Sequence, residues 1–308
     1  MNLKVEKQPK NTYKVLITIT KEEINEAFDH ALEHESKEVS VDGFRKGKTP
    51  KNVAKGKVDQ TKVRSHALNH LLTDAYTKSI KENKLAPIIS PQFDLEVFEE
   101  GKEGKVTMTI VERPDIKLGD YKKALKALSK KKLKEKKKDD EPISITNQEM
   151  LDELINVSEI EIATLLTEEE TNRMMSSLID QTSKLGITME QYLESIKKDP
   201  KKLREEFAKS AEQTLKADFL ITEIATLEKI NVSDEEIATT ISGIPDKKSR
   251  EALQSPDQKL YVRAVLLKNK TLQMLADLTM PEKKETEGKK GTGKTETKTK
   301  KETAKDKK

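Results

Sequence analysis

Tyr13-Lys14-Val15-Leu16-Ile17-Thr18-Ile19-Thr20-Lys21-Glu22-Glu23-Ile24 changes its apolar period partway along, and that change decides the fold class. Tyr13, Val15, Ile17 and Ile19 fall at every second position, the period of a strand with one buried face. Thr20 then opens a capping-box pattern with Glu23, and Ile24, Ala27, Phe28, Ala31 and Leu32 follow at helical spacing. A strand ending near Thr20 and a helix running to about Glu38 are therefore expected. After a basic loop, Val63, Ala67, Leu68, Leu71, Leu72, Ala75 and Ile80 mark a second helix, which must stop before Pro87 because the residue preceding proline disfavours the helical backbone. Phe93, Leu95 and Val97 alternate again, the stretch from Gly101 to Gly104 turns the chain, and Val106, Met108 and Ile110 return it. Strand, helices, hairpin is the order of a small α+β domain with an antiparallel sheet, here residues 1–121.

Downstream the pattern changes. The lysine-rich run up to Asp140 holds only Leu125, Leu128 and Leu133 as apolar anchors, so residues 122–145 read as a linker. Beyond it, helix starts recur at Thr146 with Glu149, Thr167 with Glu170, Thr188 with Gln191, Asp199 before Pro200, Ser233 with Glu236, and Ser255 before Pro256. Residues 146–280 thus read as an extended all-α domain. Its longest helix, from Pro200 to about Lys229, carries Leu203, Phe207, Ala211, Leu215 and Leu220 on one side and Glu205, Glu206, Lys209 and Glu212 on the other, the narrow stripe expected of an arm. Residues 281–308 contain one hydrophobic residue, Ala304, and are expected to be disordered because they have too little apolar surface to offset ordering entropy.

The composition narrows the function classes. Of 308 residues, 33% are hydrophobic and 37% charged, a thin apolar supply that suits an extended body better than a sphere. Aromatics make up 4% with no Trp, which disfavours the aromatic-walled pocket of a conventional enzyme. No Cys is present, so disulfides, thiolate nucleophiles and sulfur-bound zinc are excluded. The opening residues lack the apolar core of a signal peptide, and no run is long enough to span a bilayer, so a cytoplasmic protein with no membrane partner is expected. The net charge of +4 divides into +1 for residues 1–120, +7 for 121–140, −9 for 141–280 and +5 for 281–308. An acidic body with basic appendages suggests that the appendages meet a polyanion.

Gly43-Phe44-Arg45-Lys46-Gly47-Lys48-Thr49-Pro50 is the most informative loop. Two glycines and a proline force a turn that holds an aromatic ring among cations. Arg45 can fork onto carboxylate or phosphate while Phe44 inserts or stacks. Eight basic residues against the single acid Asp59 lie between Arg45 and Arg64. Loop chemistry alone leaves two readings open, a docking tip or a solvated loop with Phe44 folded back.

The segment resembles the GFRxGKxP signature of the trigger factor family of bacterial ribosome-associated chaperones, and Pro114-Asp115-Ile116-Lys117-Leu118-Gly119-Asp120-Tyr121 is similar to the end of that family's ribosome-binding domain. Gly186-Ile187-Thr188-Met189-Glu190-Gln191-Tyr192-Leu193 and Val232-Ser233-Asp234-Glu235-Glu236-Ile237 are similar to its helical, substrate-cradling domain. The resemblance implies that Gly43, Phe44, Arg45, Lys46, Gly47, Lys48 and Pro50 dock on a large-subunit protein beside the exit tunnel, with Lys51, Lys55 and Lys57 reaching ribosomal RNA. It implies nascent or unfolded polypeptides as clients, with Met174, Met175, Leu193, Phe207 and Leu266 as candidate contacts, a homodimer off the ribosome, and no cofactor. One departure is plain. The family usually inserts an FK506-binding-type prolyl isomerase domain between the two regions, whereas here the lysine-rich segment stands, with Tyr121 its only aromatic, and that activity is expected to be absent.

Three other motifs have competing readings. Gly288 through Thr295 match the phosphate-cradling pattern G-x-x-x-x-G-K-T, but neither flank can supply the buried strand and helix that the loop requires. His30-x-x-Glu33-His34 fits an inverted zinc-peptidase pattern and His66 and His70 repeat the spacing, yet no third ligand is marked, so no metal is expected. Met174, Met175, Met189 and Met274 suit either an adaptable client surface or ordinary core packing. An ATP-independent holdase at the ribosome is therefore expected, with an RNA-binding or ribosome-assembly factor and a zinc metallopeptidase acting through Glu33 as the alternatives.

Overall fold

The computed structural model describes residues 1–38, 56–135 and 145–279. Strands β1 (Asn2–Gln8) and β2 (Thr12–Ile19) form a hairpin pairing Leu3 with Ile17 and Val5 with Val15. Lys10 and Asn11 make its turn, both with left-handed φ (61° and 50°), as tight hairpins require. With β3 (Gln92–Val97) and β4 (Gly104–Val111) the sheet runs β1-β2-β4-β3, antiparallel throughout. Helices α1 (Lys21–Glu38) and α2 (Gln60–Asn83) pack on one another and against the sheet. Val15, Ile17 and Ile19 of β2 and Val106, Met108 and Ile110 of β4 meet Ile24, Ala27 and Ala31 of α1 and Val63, Ala67, Leu71 and Ala75 of α2 in one buried cluster. Phe28 stacks on Phe98 beside it, ring centroids 5.5 Å apart. The α+β expectation therefore holds, with β1 as an additional strand: Leu3 and Val5 are only half-buried, so their alternation carries a weak signal.

The chain then passes through β5 (Ile116–Lys117), paired with β6 (Glu159–Ile160), into a helical body. Helix α3 (Tyr121–Glu135) corrects the expectation of a linker over residues 122–145. Tyr121, Leu125 and Ser129 lie on one face, all buried, and the first two pack against Met150, Leu154, Leu220, Ile224 and Leu275. A few anchors suffice because three other helices supply the rest of the surface, which counting apolar residues inside the segment cannot reveal. Residues 136–144 lie outside the described part.

Helices α4 (Asn147–Val157), α6 (Met189–Ile196) and α8 (Asp234–Ser242) begin on the expected capping boxes of Thr146 with Glu149, Thr188 with Gln191 and Ser233 with Glu236. Helix α7 (Pro200–Leu227) is capped by Asp199, which accepts from the Lys201 amide at 2.7 Å, and a short α9 (Lys247–Ala252) precedes α10 (Pro256–Thr279). Helix α5 (Thr164–Lys184) departs from expectation. It starts before Thr167, whose hydroxyl donates back to the Ala163 carbonyl at 3.4 Å, because Ile162, Ala163 and Leu166 are drawn into a cluster with Val111 at the foot of the sheet. Along α7 the narrow stripe is confined to the first half; from Ala217 onward Leu220, Ile221, Ile224 and Ala225 are buried. Among the described residues, no helix is long and apolar enough to cross a membrane. The disorder expected of residues 281–308, and the phosphate-loop match within them, fall outside the described residues.

Candidate functional site

The signature segment at residues 43–50, with Lys51 and Lys55, lies outside the described residues, but its two attachments are defined. Described chain ends at Glu38, the last residue of α1, and resumes at Gly56, just before α2. Lys57 is exposed at the re-entry. Val58 is buried in the sheet-helix core, and Asp59 caps α2 by accepting from the Thr61 amide at 2.9 Å. Burial and capping thus hold the segment's base to the body.

The seam between α1 and α2 gathers all four histidines of the chain. His34 faces His66 with ring centroids 4.6 Å apart, and His30 faces His70 at 5.4 Å, so the helices run antiparallel. Glu33, the base of the peptidase alternative, instead points to Lys37, 3.5 Å away.

In the helical body, α5 and α7 form an open groove of about 430 Å³ lined by Glu170, Arg173, Met174, Ser177, Leu178, Gln181 and Phe207. Met174 and Phe207, two of the five candidate client contacts, meet there. Met175 and Leu193 are half-buried elsewhere on α5 and α6, and Leu266 packs on the cluster of Val232, Ile237, Ile241 and Val262. Sequence patterning missed the most exposed large apolar side chains among the described residues: Leu185 in the turn after α5 at 75%, and Leu260 and Tyr261 on α10, both 64%. Their excess over the stripe positions was the available signal. Polar groups rim these surfaces. Arg173 bonds Glu170, and Arg204 reaches Asn172 at 2.9 Å.

The junction around α3 is held by charge as well as packing. Tyr121 donates to Glu228 at 2.6 Å, and Lys122 pairs with the same carboxylate at 2.7 Å. Burial and the Glu228 carboxylate hold the Tyr121 hydroxyl well above the usual phenol range, while Lys122 and Tyr121 hold Glu228 below the usual carboxylate range. Lys132 pairs with Glu149 of the α4 capping box and, with Thr146, lowers that carboxyl too. The aromatics after Arg113 do not gather into a walled pocket: Tyr121 is buried in the α3 cluster, Phe219 packs beside Val111, Phe207 lines the groove, and Tyr192 and Tyr261 lie on α6 and α10.

Two family profiles match this chain. One, described as bacterial trigger factor protein (TF), covers residues 1–143, and the other, bacterial trigger factor protein (TF) C-terminus, covers residues 123–277. They overlap, so the matched chain passes from one to the other without an intervening domain. Trigger factors of Clostridium botulinum (strain Hall) and Clostridium acetobutylicum are 38% and 36% identical to it over 122 residues, which is 40% of this chain and 28% of each relative. That of Macrococcus caseolyticus is 36% identical over the same length, 29% of its own chain. The aligned stretch is thus less than a third of the length of these relatives. A solved structure described as concerning promiscuous substrate recognition in folding and assembly activities of the trigger factor chaperone aligns with 91% of this chain and all of its own, at a TM-score of 0.59 and 17% identity, a likeness of fold. Since the second profile alone covers half of the sequence and the first supplies the sheet domain ahead of it, the chain belongs to the trigger factor family.

Proposed function

We propose that this chain is an ATP-independent, ribosome-associated holdase that shields nascent polypeptides at the exit tunnel. The observation that carries the reading is the complete Gly43 to Pro50 signature, joined at both ends to helices that one closed core fixes in place. Residues 1–121 act as the anchor. Phe44, Arg45 and Lys46, framed by Gly43, Gly47, Lys48 and Pro50, dock on a large-subunit protein, and Lys51, Lys55 and Lys57 add phosphate contacts. Residues 146–280 cradle the client through the Met174–Phe207 groove, with Met175, Leu193 and Leu266 as further contacts and Leu185, Leu260 and Tyr261 as additions. Exposed apolar groups rimmed by polar ones suit weak, adaptable holding. The description of the solved relative, which concerns promiscuous substrate recognition, supports unfolded polypeptides as clients. Prolyl isomerase activity is absent in this reading, because the lysine-rich segment stands where the family usually inserts its isomerase domain. The protein works in the cytoplasm and forms a homodimer off the ribosome.

Cosedimentation with ribosomes tests the anchor. Phe44→Ala with Arg45→Ala and Lys46→Ala removes the protein from the ribosome pellet while its circular dichroism is unchanged. Rising salt weakens the wild type too, because phosphate contacts release counterions. Undiminished cosedimentation of the triple variant at moderate salt contradicts the docking role. The exposed lysines of α3, among them Lys123, Lys130 and Lys131, favour RNA binding as a second reading, and RNA affinity indifferent to the triple substitution would support it.

A further inference from the structure

We propose that the α1–α2 seam is a binding site for a first-row divalent transition metal such as zinc, with His34, Glu35 and His66 as its protein ligands. Spacing alone gives two imidazoles per helix and no third donor. The fold supplies it. Antiparallel packing sets His34 opposite His66, and Glu35, one residue along α1, turns its carboxylate between them: Glu35 Oε1 lies 3.2 Å from His66 Nδ1 and 3.7 Å from His34 Nδ1. Two ligands of a tetrahedral zinc ion, each about 2.1 Å from it, stand about 3.4 Å apart, so both pairs already lie close to that separation. One potential ligand atom from each of the three residues lies within 4.8 Å of the others, so the His34–His66 edge closes by at most about 1.4 Å to reach that separation. His34 can supply that movement, since its side chain is 58% exposed, whereas Glu35 and His66, at 19% and 28%, form the fixed side of the site.

The donor set is chemically apt. Imidazole suits zinc, copper, iron and nickel, while the single carboxylate is too few oxygen donors for calcium or magnesium. Three protein ligands leave a fourth position for water or for His30, whose ring centroid is 6.2 Å from that of His66. A cavity of about 590 Å³ opens beside the seam, lined by Glu35, Lys62, His66, His70 and Asp74 among others, so an ion has an entry path. His70 turns to Asp74 at 3.4 Å, which places it outside the set. The ion's effect is mechanical. It ties α1 to α2 across the segment that joins them, where a cross-link stabilises the folded form by an amount that grows with the logarithm of the free ion concentration above its Kd. No peptidase step follows, because Glu33 is turned to Lys37. The site does not depend on the ribosome-docking reading.

Zinc titration calorimetry of the full chain in excess magnesium, with thermal melting in parallel, tests the assignment. We expect one zinc per chain and a melting temperature that rises with zinc. His34→Ala, Glu35→Gln and His66→Ala each lower zinc affinity at least tenfold, and His70→Ala less than threefold. The double variant His34→Ala with His66→Ala, checked for folding by circular dichroism, loses the zinc-dependent rise. Zinc affinity and melting in the double variant equal to those of the wild type would overturn the proposal, as would no detectable zinc binding by the wild type. A loss caused by His30→Ala and His70→Ala but not by His34→Ala would overturn the ligand assignment.

Discussion

The sheet domain and the helical body divide their apolar residues in opposite ways. In the first, one continuous cluster joins α1, α2, β2 and β4, and among the described residues the large apolar side chains left exposed are Ile88, Leu95 and Val97, on or just before β3. In the second, the buried residues form separate clusters: one around α3, one where α5 meets the sheet, and one under α8 and α10. Leu185, Leu227, Leu260 and Tyr261 stay mostly exposed. A closed core yields a rigid part whose surface is free to carry charge, as an anchor needs. A divided core leaves apolar surface available between its parts, as a client cradle needs, and saves apolar residues that the composition does not offer.

Buried truncations give the largest effects and strike both regions alike. Met108→Ala in the sheet core and Leu125→Ala in the α3 cluster, both fully buried, should each cost about 3 kcal/mol, read from the denaturation midpoint. If the second cost far less, α3 would be no part of the body's core. Gly119→Ala comes next. A Cβ there would lie 1.9 Å from the Val157 carbonyl oxygen, so the chain must shift, and overpacking of this kind costs about 2 kcal/mol. Unchanged stability would mean that the segment after β5 and the end of α4 are not in close contact.

Acid separates the regions by their charges. Glu149 and Glu228, which fasten α3, have carboxyls held below the ordinary 4.5 by Lys132 and Lys122 respectively, with help from Thr146 and Tyr121. Their contribution is present above that value and is lost as pH falls through the lower folded values. Amide exchange in α3 should therefore accelerate below pH about 4 more than exchange in β4, and Glu228→Gln should flatten the difference. The smallest stability effects are expected at the groove and the exposed apolar sites. Phe207→Ser should cost about 1 kcal/mol, and Leu185→Ser or Leu260→Ser less than about 0.5 kcal/mol, while each weakens the suppression of client aggregation. A change that lowers stability and spares client holding would show the groove to be core.

Legibility in the sequence followed the range of the interactions, not the division into two regions. Capping boxes at Thr146, Thr188 and Ser233 and the alternation in β2 and β4 are local, so they could be read directly. Helix α3 could not, because Leu125 is buried by residues nearly a hundred positions away, such as Leu220 and Ile224. Thr167 imitated a cap while the true start was set by burial of Ala163 against the sheet region. The seam histidines were visible as two i, i+4 pairs, but their convergence on Glu35 depends on how α1 and α2 cross. Among the candidate client residues, only the meeting of Met174 with Phe207 emerges as a shared groove, since stripe positions do not reveal which helices leave a gap between them.

Whether the helical body holds unfolded chains without fuel, as proposed, is read from the light scattered by a denatured client diluted into nucleotide-free buffer. Aggregation should be delayed in proportion to added protein, less so for Phe207→Ser and Leu185→Ser, and proline-limited refolding of a small test protein should not be catalysed by the same samples. Scattering unaltered at several-fold excess of the protein would contradict the holding role.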